Sequence, residues 1–417
     1  MRIAIDAMGG DHAPAAVVEG AVAAARELGL AVLLIGDRGR IDGELRRHRL
    51  QGLDLETRHA SESIGMAEPA TAALRKPDSS MTVGLRAVQE GSAAAFVYAG
   101  NTGAGMVLGA HVLGRSAGVD RPAIAVQVPT VAGQTILLDA GANVDCRPLH
   151  LVQFAMMGDA YARAIRRVAS PRIGLLSNGV EDGKGSAAVR AAAPLLRRLP
   201  INFIGYIEGR DVSSGNVDVV VCDGFVGNVV LKGLEGFAGL IGDRLRSLFR
   251  QSFRTRIAGL LVRSALGSLA RELDPRETGG ALLLGLNGTV VKAHGSSDAR
   301  AIRNAVALAA DLSRADVSRE VARGVAATLD LAVQVETEPG RARRLWSTIR
   351  GKLRREGRAE PSVDGRGPTE AEVEASPPPM PVESAAAPEP TTPKPEASEA
   401  SVAKDAPHRP DGEGGKA

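Results

Sequence analysis

One local pattern constrains this chain more than any other: a short apolar run that ends in a cluster of Gly, Asn and Asp. Residues 3–6 run into Met8-Gly9-Gly10-Asp11, 96–99 into Gly100-Asn101-Thr102-Gly103, and 136–139 into Gly141-Ala142-Asn143. Residues 173–176 run into Asn178-Gly179, and 219–222 into Asp223-Gly224. Apolar runs of this length followed by helix-like segments indicate strands of a parallel sheet. Such sheets bind ligands outside the carboxyl ends of their strands, so the five loops are expected to line one cleft at one sheet edge. Glycines let backbone N–H groups approach a ligand closely, and consecutive N–H groups form an anion-binding concavity. The expected ligand is a small phosphorylated or phosphate-like species.

Composition narrows the function classes. The chain has 417 residues, 44% of them hydrophobic, enough for one large or two ordinary domains. Only 3% are aromatic, so the core is Ala, Val, Leu and Ile, and stacking on nucleobases is a poor guess. A net charge of +3 is too weakly basic to argue for nucleic acid. Cys146 and Cys222 end or follow apolar runs, which fits a reduced cytoplasmic setting better than a disulfide or a metal ligand. Met1-Arg2 leads straight into the first strand, and no signal peptide is read there. The longest apolar region, 93–113, is broken by Asn101, several glycines and His111, so no membrane span is expected.

From 1 to about 335 the chain reads as one α/β catalytic domain. Helices are expected over 14–28, 82–90, 106–113, 149–168, 186–199 and within 302–331, a second strand at 31–35, and a strand pair within 281–291. The stretch 244–271 contains Arg244, Arg246, Arg250, Arg254, Arg256, Arg263 and Arg271 and no acidic residue, with leucines and phenylalanines on a helical face. Two readings stay open: a helical hairpin packing on its own protein or a second copy, and a basic amphipathic surface for anionic lipid or an acidic partner. From 336 to 417 the composition changes. A basic segment with Leu345, Trp346, Ile349 and Leu353 at helical spacing precedes a tail rich in Pro, Ala, Glu and Ser. That tail buries too little apolar surface to fold.

Several groups are candidates for chemistry. Lys184 sits between Gly183 and Gly185 ahead of a helix, a phosphate site or a solvated turn lysine, and the spacing is not that of a P-loop. Asp223 stands at a strand end, Gly227-Asn228 is placed to cap the next helix, and Lys232 follows four residues later on the same face. Lys292 and His294 share a strand face by period two, where a neighbouring lysine keeps an imidazole neutral. A core or edge histidine explains His294 equally well. Gly103-Ala104-Gly105-Met106-Val107-Leu108-Gly109 misses the dinucleotide fingerprint by one residue and lacks its acidic partner.

Together these stretches resemble one family. Ile5-Asp6-Ala7-Met8-Gly9-Gly10-Asp11, Ser79-Ser80-Met81, Ala99-Gly100-Asn101-Thr102-Gly103-Ala104, Leu138-Asp139-Ala140-Gly141-Ala142-Asn143-Val144-Asp145, Val221-Cys222-Asp223-Gly224-Phe225-Val226-Gly227-Asn228 and His294-Gly295 look like the phosphate acyltransferases of bacterial phospholipid synthesis (the PlsX family). The resemblance runs over roughly 1–335. Relatives carry Arg where this chain has Leu74, and Asn-Ile-Gly where it has Ser177-Asn178-Gly179. The resemblance implies a Rossmann-like three-layer sandwich similar to phosphotransacetylases and isocitrate dehydrogenases, with a protruding helical hairpin. It implies an acyltransferase that makes an acyl phosphate from inorganic phosphate and a fatty acyl thioester of acyl carrier protein, without cofactor or metal. It also implies a cytoplasmic homodimer held peripherally at the inner face of the membrane, where a glycerol-3-phosphate acyltransferase uses the product.

That reaction makes modest demands on side chains. Phosphate is already anionic near neutral pH, and a thiol of pKa about 8.5 leaves without strong acid help. The expected catalytic groups are Lys184, Asn228, Asp223 and His294. Asp6, Gly9, Gly10, Asn101, Thr102, Gly103, Asp139, Asn143, Lys232 and Lys292 are expected to bind phosphate or substrate. Arg246, Arg250, Arg254 and Arg256 are expected to meet the carrier protein or the membrane. Two alternatives remain: an enzyme of the same fold using coenzyme A or a nicotinamide, and a non-catalytic membrane scaffold.

Overall fold

The computed structural model describes residues 1–334 except 273 and 275; the basic Trp346 segment and the tail lie outside the described residues. By contacts the chain divides into Met1–Ala359 and Glu360–Ala417, and every described residue belongs to the first.

The strands are β1 (Arg2–Asp6), β2 (Ala31–Gly36), β3 (Leu55–His59), β4 (Ala95–Tyr98), β5 (Ala123–Thr130), β6 (Gly133–Leu138), β7 (Ile173–Leu176), β8 (Phe203–Ile207), β9 (Val219–Val221), β10 (Ala281–Leu284) and β11 (Thr289–Lys292). The helices are α1 (Ala15–Leu28), α2 (Arg38–Leu45), α3 (Ser80–Gln89), α4 (Thr102–Val112), α5 (Pro148–Arg166), α6 (Ala187–Leu196), α7 (Gly224–Arg250), α8 (Phe253–Leu261), α9 (Arg263–Glu272), α10 (Ala299–Arg314) and α11 (Val317–Gln334). The expected helices are present within a few residues of their expected bounds. The strands β3 and β8, which are short and only half-buried, went unread.

All eleven strands form one sheet in the order β3-β2-β1-β4-β11-β10-β5-β6-β9-β7-β8. Strands β3, β2, β1, β4 and β11 are parallel, and so are β6, β9, β7 and β8. Between the two groups, β10 runs antiparallel to both β11 and β5, and β5 runs antiparallel to β6. The two parallel groups therefore point in opposite directions. This corrects the expectation of a single loop-bearing edge. The loops after β1, β4 and β11 leave one edge of the sheet, and the loops after β6, β7 and β9 leave the other. A tight β5–β6 hairpin, from Thr130 to Gly133, causes the reversal.

The period-two alternation of side chains divides each strand between two apolar layers. Ile3, Ile5, Val32, Leu34, Val97, Ile136 and Val219 face one layer, covered by α1, α5, α6, α10 and α11. Ala4, Leu33, Ile35, Phe96, Tyr98, Leu137 and Val220 face the other, covered by α3 and α4 and by Val230, Leu231 and Leu234 of α7. With so few aromatics, Phe96 and Tyr98 stand out. Their rings stack with centroids 5.8 Å apart, and glycines of α3 and α4 sit directly over them.

A methyl group at Gly84 would lie 2.1 Å from the Phe96 ring, whereas one on Gly43 of α2 would meet nothing within 4 Å. Gly84→Ala is therefore expected to destabilise the fold by about 1–3 kcal/mol. Gly43→Ala is expected to stabilise it by roughly 0.5–1 kcal/mol. Urea unfolding of the two variants checks the opposite signs.

Candidate active site

At the first edge, β1 ends in Asp6, a buried carboxylate that accepts the Met8 N–H at 3.0 Å. Burial pushes its pKa up, and the Ser80 hydroxyl with the Met8 and Gly9 N–H groups pulls it back in part. Gly9 and Gly10 pack so tightly on the neighbouring loops that a methyl group on Gly9 would lie 2.5 Å from Asp6 Oδ2 and one on Gly10 3.1 Å from the Gly295 carbonyl. Gly10 also has φ +98°, open to glycine and rare for other residues. Asn101 caps α4, its Oδ1 accepting the Ala104 N–H at 3.0 Å, and Thr102 and Gly103 form the first turn.

At the second edge, Asp139 is fully buried. Its Oδ1 accepts N–H groups of Ile124, Gly141 and Ala142 at 3.0–3.2 Å. Its Oδ2 accepts the Asn143 N–H at 2.7 Å and the Asn143 side-chain amide at 2.9 Å. Burial raises its pKa and these donors oppose the rise. The Asn143 amide also donates to the Pro122 carbonyl at 2.9 Å. Cys222 and Cys146 point their thiols at carbonyls of the same loop, Cys222 at Asp139 and Cys146 at Asn143, and burial pushes both thiols up, Cys146 to about 12.

Helix α7 joins the two edges. It begins at Gly224 and its cap is Asp223, whose Oδ1 accepts the Val226 N–H at 2.8 Å. Gly227-Asn228, expected at the cap, stands at the fourth and fifth helical positions because Asp223 already supplies the acceptor. Gly227 faces the sheet, and a methyl group there would lie 1.9 Å from the Asp139 carbonyl oxygen. Asn228 is exposed and borders Gly141. Eight residues from Gly224 to Lys232 rise about 12 Å, close to the roughly 13 Å length of a four-residue strand. Lys232 thereby reaches the first edge, where its Nζ lies 3.4 Å from His294 Nε2 and 2.7 Å from Glu235.

The first edge thus holds two lysines and a histidine. Lys292, at the end of β11, is half-buried, and among the described residues its ammonium has no hydrogen-bonding or ionic partner. Burial and then Lys232 depress its pKa from the usual 10.5, against the pull of Glu235. The His294 Nδ1 lies 2.8 Å from the Ser296 hydroxyl. Burial, then Lys232 and Lys292, hold its pKa below the usual 6.5, opposed by Glu235 and Asp11. Glu235 and Asp11 were missed from sequence. The (i, i+3) spacing of Lys232 and Glu235 was a usable signal for the first.

Among the described residues the Lys184 ammonium makes no hydrogen bond or ion pair with either cluster. It is exposed in the loop after β7, which Asn178 closes by accepting the Gly185 N–H at 2.8 Å. It shares the second edge with Asp139 and Asn228, with β9 lying between β6 and β7. Arg250, Arg254 and Arg256 are exposed at the far end of α7 and on α8, and Arg246 pairs with Asp243 at 2.7 Å. Phe237, Leu240, Leu248, Phe253, Leu260 and Leu261 are exposed on the same helices. Helix α7 is, by length and composition, the one helix among the described residues that reaches the threshold for crossing a membrane. The expectation of no such stretch missed it because residues 244–250 add charge at its end.

Comparison with known proteins identifies the family. The model of a family described as fatty acid synthesis protein matches residues 1–320. A phosphate acyltransferase of Geobacter sp. (strain M21) is 51% identical over 323 residues, covering 77% of this chain and 92% of the relative. That of Anaeromyxobacter sp. (strain Fw109-5) is 48% identical over 344 residues, covering 82% and 95%. Among solved structures, the EutD phosphotransacetylase from Staphylococcus aureus is similar at 14% identity and TM-score 0.47, covering 77% of this chain and 94% of that one. A phosphotransacetylase from Streptococcus pyogenes is similar at 15% identity and TM-score 0.49, covering 76% and 94%. With a match of this extent and identity along the whole described sheet, the chain belongs to the phosphate acyltransferase family, a family of acyltransferase enzymes.

Proposed function

We propose that this enzyme transfers a fatty acyl group from acyl carrier protein to inorganic phosphate, releasing an acyl phosphate for phospholipid synthesis. The observation that carries the reading is the pair Lys232 and Lys292 beside a neutral His294, at the edge where the Gly9-Gly10 loop and the start of α4 meet. Two like charges close together are held at a cost that a bound dianion relieves, and the surrounding N–H groups add donors without adding charge.

A phosphate oxygen attacks the thioester carbonyl, forming a C–O bond and a tetrahedral oxyanion. Collapse breaks the C–S bond and expels the carrier's thiolate, which then takes a proton. Lys232 and Lys292 hold the phosphate. Asn228, whose amide is exposed over Gly141, donates to the oxyanion; the 140–143 N–H groups are spent on Asp139 and the Ile124 carbonyl and hold the turn beneath it. Asp223 sets the start of α7, and Asp6 and Asp139 shape their loops. His294, neutral at pH 7, takes the proton of the attacking hydrogen phosphate and passes it on to the leaving sulfur. Lys184, exposed at the second edge, contributes a cation once substrate is bound. The apolar face and free arginines of α7 and α8 are the proposed meeting place with acidic carrier protein, with lipid at the inner face of the membrane, or with the second subunit of a homodimer. A glycerol-3-phosphate acyltransferase would take the product there. The chain 1–335 is proposed as the catalytic domain.

The decisive assay mixes purified protein with a hexadecanoyl thioester of acyl carrier protein and phosphate, and traps acyl phosphate with hydroxylamine. Phosphate-dependent hydroxamate is expected, and its absence at all phosphate concentrations would refute the reading. Asn228→Ala is expected to lower kcat by roughly 100- to 1,000-fold with little change in the KM for phosphate.

The pH profile follows from the two depressed groups. His294 stays neutral until the pH falls below 6.5, so kcat should decline only under more acidic conditions than an ordinary histidine would give. Lys292 loses its charge before the pH rises to 10.5, so phosphate KM should climb on the alkaline side sooner than an ordinary lysine would allow. Lys292→Met should abolish the alkaline climb and leave the acid limb in place.

Arg250→Glu with Arg254→Glu should raise the KM for carrier-bound substrate and weaken sedimentation with anionic vesicles. Unchanged values of both would remove this surface from either role.

A further inference from the structure

Between β3 and α3 the chain leaves the sheet and makes a strap, residues 61–79. The strap closes on itself. Glu62 bridges to Ser79, and Asp78 accepts the Ser61 N–H at 2.8 Å. Lys76 Nζ donates to the Ser63 carbonyl at 2.9 Å and to Glu68 Oε1 at 2.8 Å, and Glu68 Oε1 also accepts the Gly65 N–H at 2.9 Å.

The strap is tied to the site by one side chain. Asn101 Nδ2 donates to the carbonyls of Glu68, Met66 and Gly65 at 2.8, 3.1 and 3.4 Å. The other end of the same carboxamide caps α4 through the Ala104 N–H. Packing supports the tie: the Met66 methyl lies 3.0 Å from where Gly295 would carry a methyl, and Ala70 Cβ 2.9 Å from the same point on Gly103. Glycine at both places lets the strap sit down on the His294 loop and on the first turn of α4. Met66 is nevertheless 50% exposed, next to Gly295 of the His294 loop.

We infer that Asn101 is a positioning residue for the acyl substrate, a hook that holds the strap so that Met66 borders the site as an apolar wall. The carboxamide is spent on protein groups at both ends, so its action on the reaction runs through the strap. Met66 offers the flexible thioether surface that suits a saturated chain. This inference rests on the acyl-transfer reading above.

Asn101→Ser separates the two jobs of the side chain. Serine caps a helix about as well as asparagine but is too short to reach the strap carbonyls. Backbone amides of 62–70 should exchange with deuterium at least about tenfold faster, with α4 protection kept. The KM for the hexadecanoyl carrier thioester should rise about fivefold or more, as for loss of one apolar contact, with the KM for phosphate unchanged. Met66→Gln should reproduce the rise in thioester KM with wild-type exchange. Unchanged exchange in Asn101→Ser would overturn the hook. Faster exchange with unchanged thioester KM would overturn the positioning role, and a rise confined to phosphate KM would make Asn101 a direct phosphate ligand instead. The exchange measurement needs no substrate, so it stands whether or not the wild-type protein yields hydroxamate, and a wild type without hydroxamate would sink the acyl-transfer reading itself.

Discussion

Five N–H donors converge on the buried carboxylate of Asp139, and the rest of the site hangs from that arrangement. A buried carboxylate without donors is costly enough to unfold or protonate. With them, it fixes the 140–143 turn as a rigid seat at the end of β6. Helix α7 rests on that seat. Gly224 and Gly227 come so near that a methyl group on either would press into Asp139 or Asn143. Backbone cannot give way as a flexible side chain can, so the two glycines set the height and angle at which α7 leaves the sheet. Asn228 and Lys232 inherit their positions from this contact.

The consequence is a site assembled from both ends of the sheet. The antiparallel strands β10, β5 and β6 at its centre reverse the direction of the second parallel group. Loops that carry similar residues therefore emerge on opposite edges. Two turns of α7 close the distance, delivering Lys232 to Lys292 and His294. Burial and then neighbouring charge perturb two of them: Lys292 gives up its proton early and His294 resists taking one. Both shifts have the same causes, burial first and then the neighbouring positive charge. That is the electrostatic condition the proposed phosphate would relieve, since Glu235 and Asp11 oppose it only in part.

The asparagines divide by what their amides do. Those of Asn101 and Asn143 are consumed internally, one tying the strap 61–79 and capping α4, the other bracing Asp139. Asn228 is exposed beside Gly141. All three stand next to glycine in the chain or near it, and in sequence they look alike. Their separation into scaffold and free donor depends on which carbonyls the fold brings within 3 Å, and no local pattern encodes that.

What the amino-acid order determined by itself was the menu of local structures. Apolar runs of four to six residues form strands because alternating side chains can be buried on both faces of a covered sheet. Asp37, Ser79, Asn101, Ser186, Asp223 and Asp298 start helices because each places a side-chain acceptor over free N–H groups. Family membership was legible for the same reason, since such local requirements recur in order along the chain. Strand direction was not legible, because a β5–β6 hairpin and a crossover look alike to a periodicity argument. Nor was the meeting of Lys232 with His294 or of Asn101 with Glu68. Those contacts join residues far apart in sequence, and they exist only where the buried Asp139 turn, the glycine contacts of α7 and the sheet reversal have already fixed the distances.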